Sequence, residues 1–555
     1  MPRNKYESLR EVPEKILDKV SKYITNIGAD TFVIQGLPSE LTGGLLARYS
    51  RAKTGLQLTL INEFLDENGN PSQEKGTELM DRVLNSFGDD SVGELENVTV
   101  GFENISQVFT KEIEDRRIGG SPIEQSTRYV KYDQKDSGGR WRYLRPKEIT
   151  GTGLEEKFEK VNNRAFEVYS EGIAGLSEFF KKEFPREKYS IKVERDGNQS
   201  EVKETDLKTD EEKAAFRNAY NFTIRCAALD VGRCVLPSST LTHIGENANG
   251  RFYSNLLTHL KSSELEESRE RALKLEEELN KVIPTFIKRN RVNEYVKEVR
   301  KEMLNFSLAA FSGIKPEAES VSLVGDADYL DLTVSSSIFP FTNISLPQIL
   351  KRIERMPEEK KFYILDLYKG DRKTRRDRSG RGLEAGYPLT FDLVGGFAEY
   401  RDLERHRMVT QQRQMLTTDL GFIMPSEMIE VGLEKKVGEV VDAMSNLNGE
   451  MKKAGLQYAS QYATLFNNRM RFMMGMNLRE FQHLSELRTQ PAGHYSYRAM
   501  TMEMAKKVAL RYPWAEKFYE FVDYSDPGNK ISRAKEQSKI AGKNLASGIS
   551  GEQDF

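Results

Sequence analysis

Apolar and polar positions alternate over short runs in two distant parts of the chain, each followed by a turn signal and then a helical spacing. "NVTVGFENIS" from residue 97 and "PLTFDLVGGF" from residue 388 have the two-residue period of strands. Longer stretches at helical spacing run through 154–182, 264–300, 427–465 and 494–521. In "YSIKVERDGNQSEVKE" alternation flanks Asp196-Gly197, which predicts a β-hairpin; with the polar run 203–213 it makes an insert at about 186–213. From Asp526 onward the chain is rich in Gly, Ser and Lys and reads as a polar, mobile tail.

Comparing the chain with itself changes the architecture, because the same order of signals occurs twice. "NVTVGFENISQVFTKEIEDRRIGGSPIEQSTRYV" answers "PLTFDLVGGFAEYRDLERHRMVTQQRQMLTTDLG", each reading strand, turn, helix and an arginine-containing end. Further on, Asn249, Arg251 and Asn255 answer Asn477, Arg479 and His483, and Arg233 in the first copy is answered by Gln461 in the second. The reading is α+β: two tandem copies of a domain with a mainly antiparallel sheet flanked by long helices. The first repeat spans 1–305 and includes the hairpin insert, the second spans 306–525, and 526–555 is the tail.

Composition narrows the classes of partner. Of 555 residues 38% are hydrophobic and 30% charged, with a net charge of -2, so there is no bulk basic field of the kind nucleic acid attracts. Cys226 and Cys234, in "CAALDVGRC", form neither a CxxC pair nor a zinc ligand set and are expected to be buried thiols; no metal site is expected. The N-terminus lacks the apolar run of a signal peptide, and no apolar stretch reaches the about 18 residues of a membrane span, so the expected compartment is the cytoplasm.

"RDLERHRMVTQQRQ", residues 401–414, sets Arg401, Arg405 and Arg407 around His406. Read as a helix after the Gly395-Gly396 break, it pairs Arg401 with Arg405 and Asp402 with His406, four apart. Taken alone, such a run is as well explained by a solvated helix face. The Asn477 segment has a similarly plain reading, a helix cap with Arg479 in water. His259 and His494 have no motif partner and are assigned to packing.

Together these residues resemble the flavin-dependent thymidylate synthases, and the resemblance covers most of both halves. The first copy is similar to the family at Ser91 and Glu94, at Glu124, Ser126 and Arg128 in "IEQSTRYV", at Arg233 before "VLP", and at Asn249, Arg251 and Asn255. It departs where Asp115-Arg116-Arg117 replaces Arg-His-Arg and Leu260 replaces the closing arginine. The second copy has Arg405-His406-Arg407, then Asn477, Arg479, His483 and Arg488, with Glu384 as counterpart of Glu94. There Met415, Thr417 and Gln461 stand where the family has Ser, Arg and Arg.

The resemblance implies reductive methylation of dUMP to dTMP with methylenetetrahydrofolate as carbon donor, FAD as hydride carrier and NADPH as reductant. It implies Arg405, His406, Arg407 and Arg488 as catalytic residues and Glu124, Ser126, Arg128 and Arg233 as the dUMP side. Ser91, Glu94, Asn249, Arg251, Asn255, Asn477, Arg479 and His483 are then the FAD residues. Because family sites form between subunits, it further implies a homodimer acting as a pseudo-tetramer. Mixed first-copy and second-copy interfaces would be complete, and the reciprocal interface with Asp115, Leu260, Thr417 and Gln461 would be inert. The competing reading is a degenerate relative that binds flavin or nucleotide without making dTMP.

Overall fold

The computed structural model describes residues 6–66, 68–81, 90–195, 198–288, 290–374 and 377–547, with the side chains at 73, 90, 91, 195 and 198 outside that set. Each half carries the same order of elements. In the first, β1 (Asn97–Ser106), the helix Gln107–Glu114 and β2 (Gly120–Glu124) precede the long helices Glu155–Glu183 and Asp210–Gly232. The hairpin β3 (Ser190–Arg195) and β4 (Asn198–Lys203) lies between those helices, and β5 (Leu241–Asn249) leads into the helix Gly250–Lys261. In the second half β6 (Val321–Leu323) comes first, then β7 (Leu389–Gly396), the helix Phe397–Leu403 and β8 (Thr410–Arg413). The helix Glu434–Lys453 follows, and β9 (Arg469–Met476) leads into the helix Leu478–Arg488.

The sheets repeat as well. The first is ordered β1-β5-β2 and the second β6-β7-β9-β8, so β5 and β9 hold the same inner place. All named pairings in them are antiparallel, including β2 with β5, β7 with β9 and β8 with β9. The chain is thus α+β with two tandem copies of one strand and helix order. Burial separates the copies: every residue of β7 is buried, whereas β1 is mostly exposed or half-buried along its length. The alternation in "LTFDLVGG" suits a strand with one face in water, yet both faces are covered, and buried Asp392 is met by buried Arg471.

The compact units cut across the repeats. One holds Met1–Glu103, Phe109–Glu124 and His243–Glu294; the other holds Asn104–Val108, Gln125–Thr242 and Tyr295–Phe555. In the first unit the N-terminal helices pack an apolar core of Leu41, Leu45, Leu60, Met80 and Phe286. The second unit contains the long helices of the first repeat together with the whole sheet of the second.

Three helical expectations are corrected by breakers inside them. The stretch 264–300 divides into Glu266–Leu279, Pro284–Ile287 and Glu294–Ala310, because Pro284 cannot continue a helix and instead starts a new one. The stretch 427–465 divides at Gly432 and Gly455, whose φ of 75° and 79° is left-handed and ends a helix. In the stretch 494–521 the helix runs Tyr495–Arg511 and stops before Pro513. The hairpin forms in the expected place, with Ser190 opposite Lys203; its turn, Asp196-Gly197, lies outside the described residues. Within 526–555, read as a mobile tail, Ala534–Ala546 is a helix packed on β3. A Cβ at Gly542 would stand 2.2 Å from the Lys192 carbonyl oxygen, so that helix approaches the strand as closely as only glycine permits.

Candidate functional site

The register of the second sheet explains where the Arg-His-Arg segment lies. β8 begins at Thr410, opposite Gly475 near the end of β9, so the turn before β8 adjoins the helix that follows β9. That turn contains Arg405, His406 and Arg407, which are not helical: the helix ends at Leu403. The physical reason is the capping of its free carbonyls. The buried Gln411 amide donates to the Glu404 and His406 carbonyl oxygens at 3.0 and 3.1 Å, satisfying acceptors that a further turn would have used.

His406 is buried while Arg405 and Arg407 are exposed. The Nε–H of Arg488 donates to His406 Nε2 at 2.9 Å, and His406 Nδ1 faces Glu480 Oε1 at 3.1 Å. A guanidinium can only donate, so Nε2 is the acceptor and the ring proton sits on Nδ1, directed at the carboxylate. Burial lowers the pKa of His406; Glu480 opposes this and Arg488 adds to it. The ring is therefore neutral and of one tautomer, and the His483 ring lies edge-on to it at 5.5 Å.

The first repeat reaches the same unit through the loop after β2 and the end of the helix Asp210–Gly232. The Ser126 hydroxyl accepts from the Arg128 backbone N–H at 3.2 Å, a local turn that sets the arginine's direction. The Arg128 guanidinium then donates twice to Asp230, at 2.8 and 3.0 Å. Burial opposes both charges, but the pair holds Arg128 well above its usual range and Asp230 well below the usual carboxylate range. Arg233, only 2% exposed, donates to the Thr127 hydroxyl at 3.1 Å, and Arg401 donates to that same oxygen at 3.0 Å. The Nε and Nη2 of Arg233 are buried without any hydrogen-bond partner.

Asp402 ties the two repeats together. Burial raises its pKa, but Arg128, Arg233, Arg405 and Arg488 outweigh that and hold the carboxylate low. His494, buried beside them, caps the helix Tyr495–Arg511 by accepting from the Ser496 N–H, and its Nε2 faces the Asp230 carbonyl oxygen at 3.4 Å. Burial, with Arg233, lowers it to about 3, so it stays neutral. Arg128 and Arg233 face Asp230, the same two with Arg405 and Arg488 face Asp402, Arg401 lies beside Arg233, and buried Glu399 also faces Arg233. Buried Arg233 keeps two nitrogens without a hydrogen-bond partner, which is the chemistry of an anion site.

The remaining residues fall into two groups. Arg479 and His483 are exposed on the helix that Asn477 caps by accepting from Glu480 N–H at 3.1 Å, so the plain reading of Asn477 holds. In the other unit, Asn249 caps the helix Gly250–Lys261, Arg251 pairs with Glu94, Asn255 is exposed, and Glu124 is buried 3.7 Å from Lys111. Ser91 lies in the turn Asp90–Leu95, and its side chain is outside the described residues. His259, assigned to packing, meets Glu112 at 2.7 Å. Cys226 and Cys234 are both buried, and burial pushes the Cys226 thiol up to about 11. Among the described residues no cluster of metal-ligating side chains occurs, and no helix is long and apolar enough to cross a membrane.

At the equivalent place in the second repeat Thr417 and Gln461 stand where the first has Arg128 and Arg233. Gln461 Oε1 accepts from the Leu416 N–H at 3.2 Å, and the Thr417 hydroxyl accepts from Lys452 at 3.0 Å. Both side chains are buried and used as internal pins. Sequence reasoning missed Thr127, Asp230, Glu480 and His494; Asp230 had a signal, since it stands three residues before Arg233 on one helical face.

A UPF0159 protein of Chlamydia pneumoniae is 34% identical over 528 residues, 91% of this chain and 94% of the relative. One from Chlamydia muridarum is 33% identical over 543 residues, covering 94% and 97%. One from Thermoplasma acidophilum is 28% identical over 511 residues, covering 90% and 99%. The model of the family described as thymidylate synthase complementing protein matches residues 45–285 and 387–514, and the chain belongs to that family.

Proposed function

We propose that the chain is an FAD-dependent thymidylate synthase that methylates dUMP to dTMP with methylenetetrahydrofolate and NADPH. The observation that carries this reading is the cluster itself. First-repeat Arg128 and Arg233 and second-repeat Arg405 and Arg488 act on one carboxylate, Asp402, within one compact unit of one chain. The two half-motifs meet within one compact unit at that point.

In this reading the buried Arg233, with two unused N–H donors, and Arg128, oriented by Ser126 and Asp230, take the anionic nucleotide. Arg405 and Arg488 stabilise negative charge that develops on the pyrimidine, as donors directed at developing charge do. His406, neutral with its proton on Nδ1, holds Arg488 in place through Nε2. Exposed Arg407, Arg479 and His483, with Arg405, are the residues here that would hold the diphosphate and ring of FAD, which supplies the hydride when bound. In the other unit Ser91, Glu94, Asn249, Arg251 and Asn255 are the first repeat's own FAD residues. A homodimer in the cytoplasm is the assembly this reading carries.

The degenerate-relative reading draws support from one observation: Asp230 already occupies two donors of Arg128, in competition with any ligand. Two experiments separate the readings. Growth of a thymidine auxotroph expressing the chain, together with NADPH oxidation that depends on both dUMP and methylenetetrahydrofolate, supports synthesis. Flavin-loaded protein that binds dUMP but yields no dTMP supports the degenerate reading instead.

A further inference from the structure

We propose that the C-terminal segment beyond the family match, residues 525–533, is a built part of the anion site, and that Arg533 is a positioning residue for Arg128. The proposal rests on the functional reading above for the nature of the anion. The family match ends at residue 514. Yet the segment 489–494, which joins the helix carrying Arg488 to the helix carrying Tyr497, is fastened from beyond that point.

Six contacts do the fastening. Ser532 Oγ donates to the Pro491 carbonyl oxygen at 2.6 Å, and Arg533 Nη2 donates to the Ala492 carbonyl oxygen at 2.7 Å. Arg498, fully buried, donates from Nε to the Thr489 carbonyl oxygen at 2.9 Å and from Nη2 to Ser525 Oγ at 3.0 Å. Lys530 pairs with Glu427 and lies 4.2 Å from the Tyr495 ring centroid.

The Ala492 carbonyl is the link to the site, because Arg128 Nη2 reaches that same oxygen at 3.5 Å. Arg533 also lies 4.9 Å from the ring centroid of Tyr129, the residue next to Arg128. Arg533 is itself buried. It therefore fixes both the carbonyl that Arg128 leans on and the backbone that follows Arg128, while making no contact with Asp230 among the described hydrogen bonds. The Ala492 carbonyl and the Tyr129 ring contact thus flank Arg128 and add to the hold of Asp230. Removing Arg533 frees the 489–494 segment and, with it, the plane in which Arg128 presents its fork.

The test compares full-length Arg533→Ala and Arg533→Lys with the wild-type chain by calorimetric titration of dUMP and, separately, of inorganic phosphate, and by steady-state kinetics. Arg533→Ala is expected to weaken dUMP binding and raise its KM on the order of tenfold, about what one lost positioning contact is worth, with kcat and melting temperature little changed. Arg533→Lys, which still donates to the Ala492 carbonyl, is expected to recover most of that loss. Equal affinities for wild type and Arg533→Ala overturn the proposal, as does a variant that loses melting temperature while keeping its KM. A wild-type chain that takes phosphate but not dUMP overturns the functional reading instead, and the comparison of variants is then read on phosphate.

Discussion

Glu399 tests how the arginine cluster is balanced. It is buried at the start of the helix Phe397–Leu403, and a Cβ at Gly395 would stand 2.4 Å from its Oε2, so glycine makes the room it occupies. Burial pushes its carboxyl up from 4.5 to about 7, against the pull of Ser496, the Gly396 N–H and the guanidiniums of Arg233 and Arg469. A raised carboxyl pKa means that the folded chain holds this proton more tightly than the unfolded chain. The stability it contributes is complete below 4.5 and is lost as pH rises through about 7. At about 1.36 kcal/mol per unit, the loss across that window is about 3 kcal/mol. Glu399→Gln keeps the shape and carries no charge at any pH, so it removes the loss. Urea unfolding of both chains between about pH 5 and about pH 8 is expected to show the variant gaining on the wild type as pH rises. Stability curves that run parallel across that range would refute the reasoning.

Two further outcomes follow from contacts described above. Glu480 lifts the pKa of His406, so in Glu480→Gln the midpoint of the His406 ring, read by nuclear magnetic resonance, is expected to fall; an unchanged midpoint sinks the assigned pairing. Gly542→Val sets side-chain atoms against the Lys192 carbonyl, and the strain is expected to lower stability by about 1–3 kcal/mol, seen as faster amide exchange in β3 and β4. Protection equal to the wild type would show that the helix does not press on the strand.

The sequence carried the duplication and the split motifs because both are written locally. Strand alternation, turn glycines and Arg405-His406-Arg407 each lie within a few residues. What it concealed was set by contacts between distant segments. The Arg-containing turn was read as helix because its charges fit a four-residue spacing; Gln411, whose amide caps the carbonyls instead, looked like any polar strand residue. His494 had no motif partner, and its place beside Arg233 comes from the cap of a helix far along the chain. Asp402, quoted only as part of a charged face, turned out to be where both repeats converge. Helix lengths were overrun at Pro284, Gly432 and Gly455, where the apolar spacing continues but the backbone cannot.

The hydroxyl of Thr127, shared by Arg233 and Arg401, has a consequence for how the protein is made. Thr127 and Arg401 are 274 residues apart. At a synthesis rate of about 5–20 residues per second, roughly 15–50 s pass between the emergence of one and of the other. For the later part of that interval Arg128, Asp230 and Arg233 have all left the ribosome without the segments that will cover them. The anion site therefore closes late in biogenesis, and a fragment released before that point carries its charged half open to water and to chaperones.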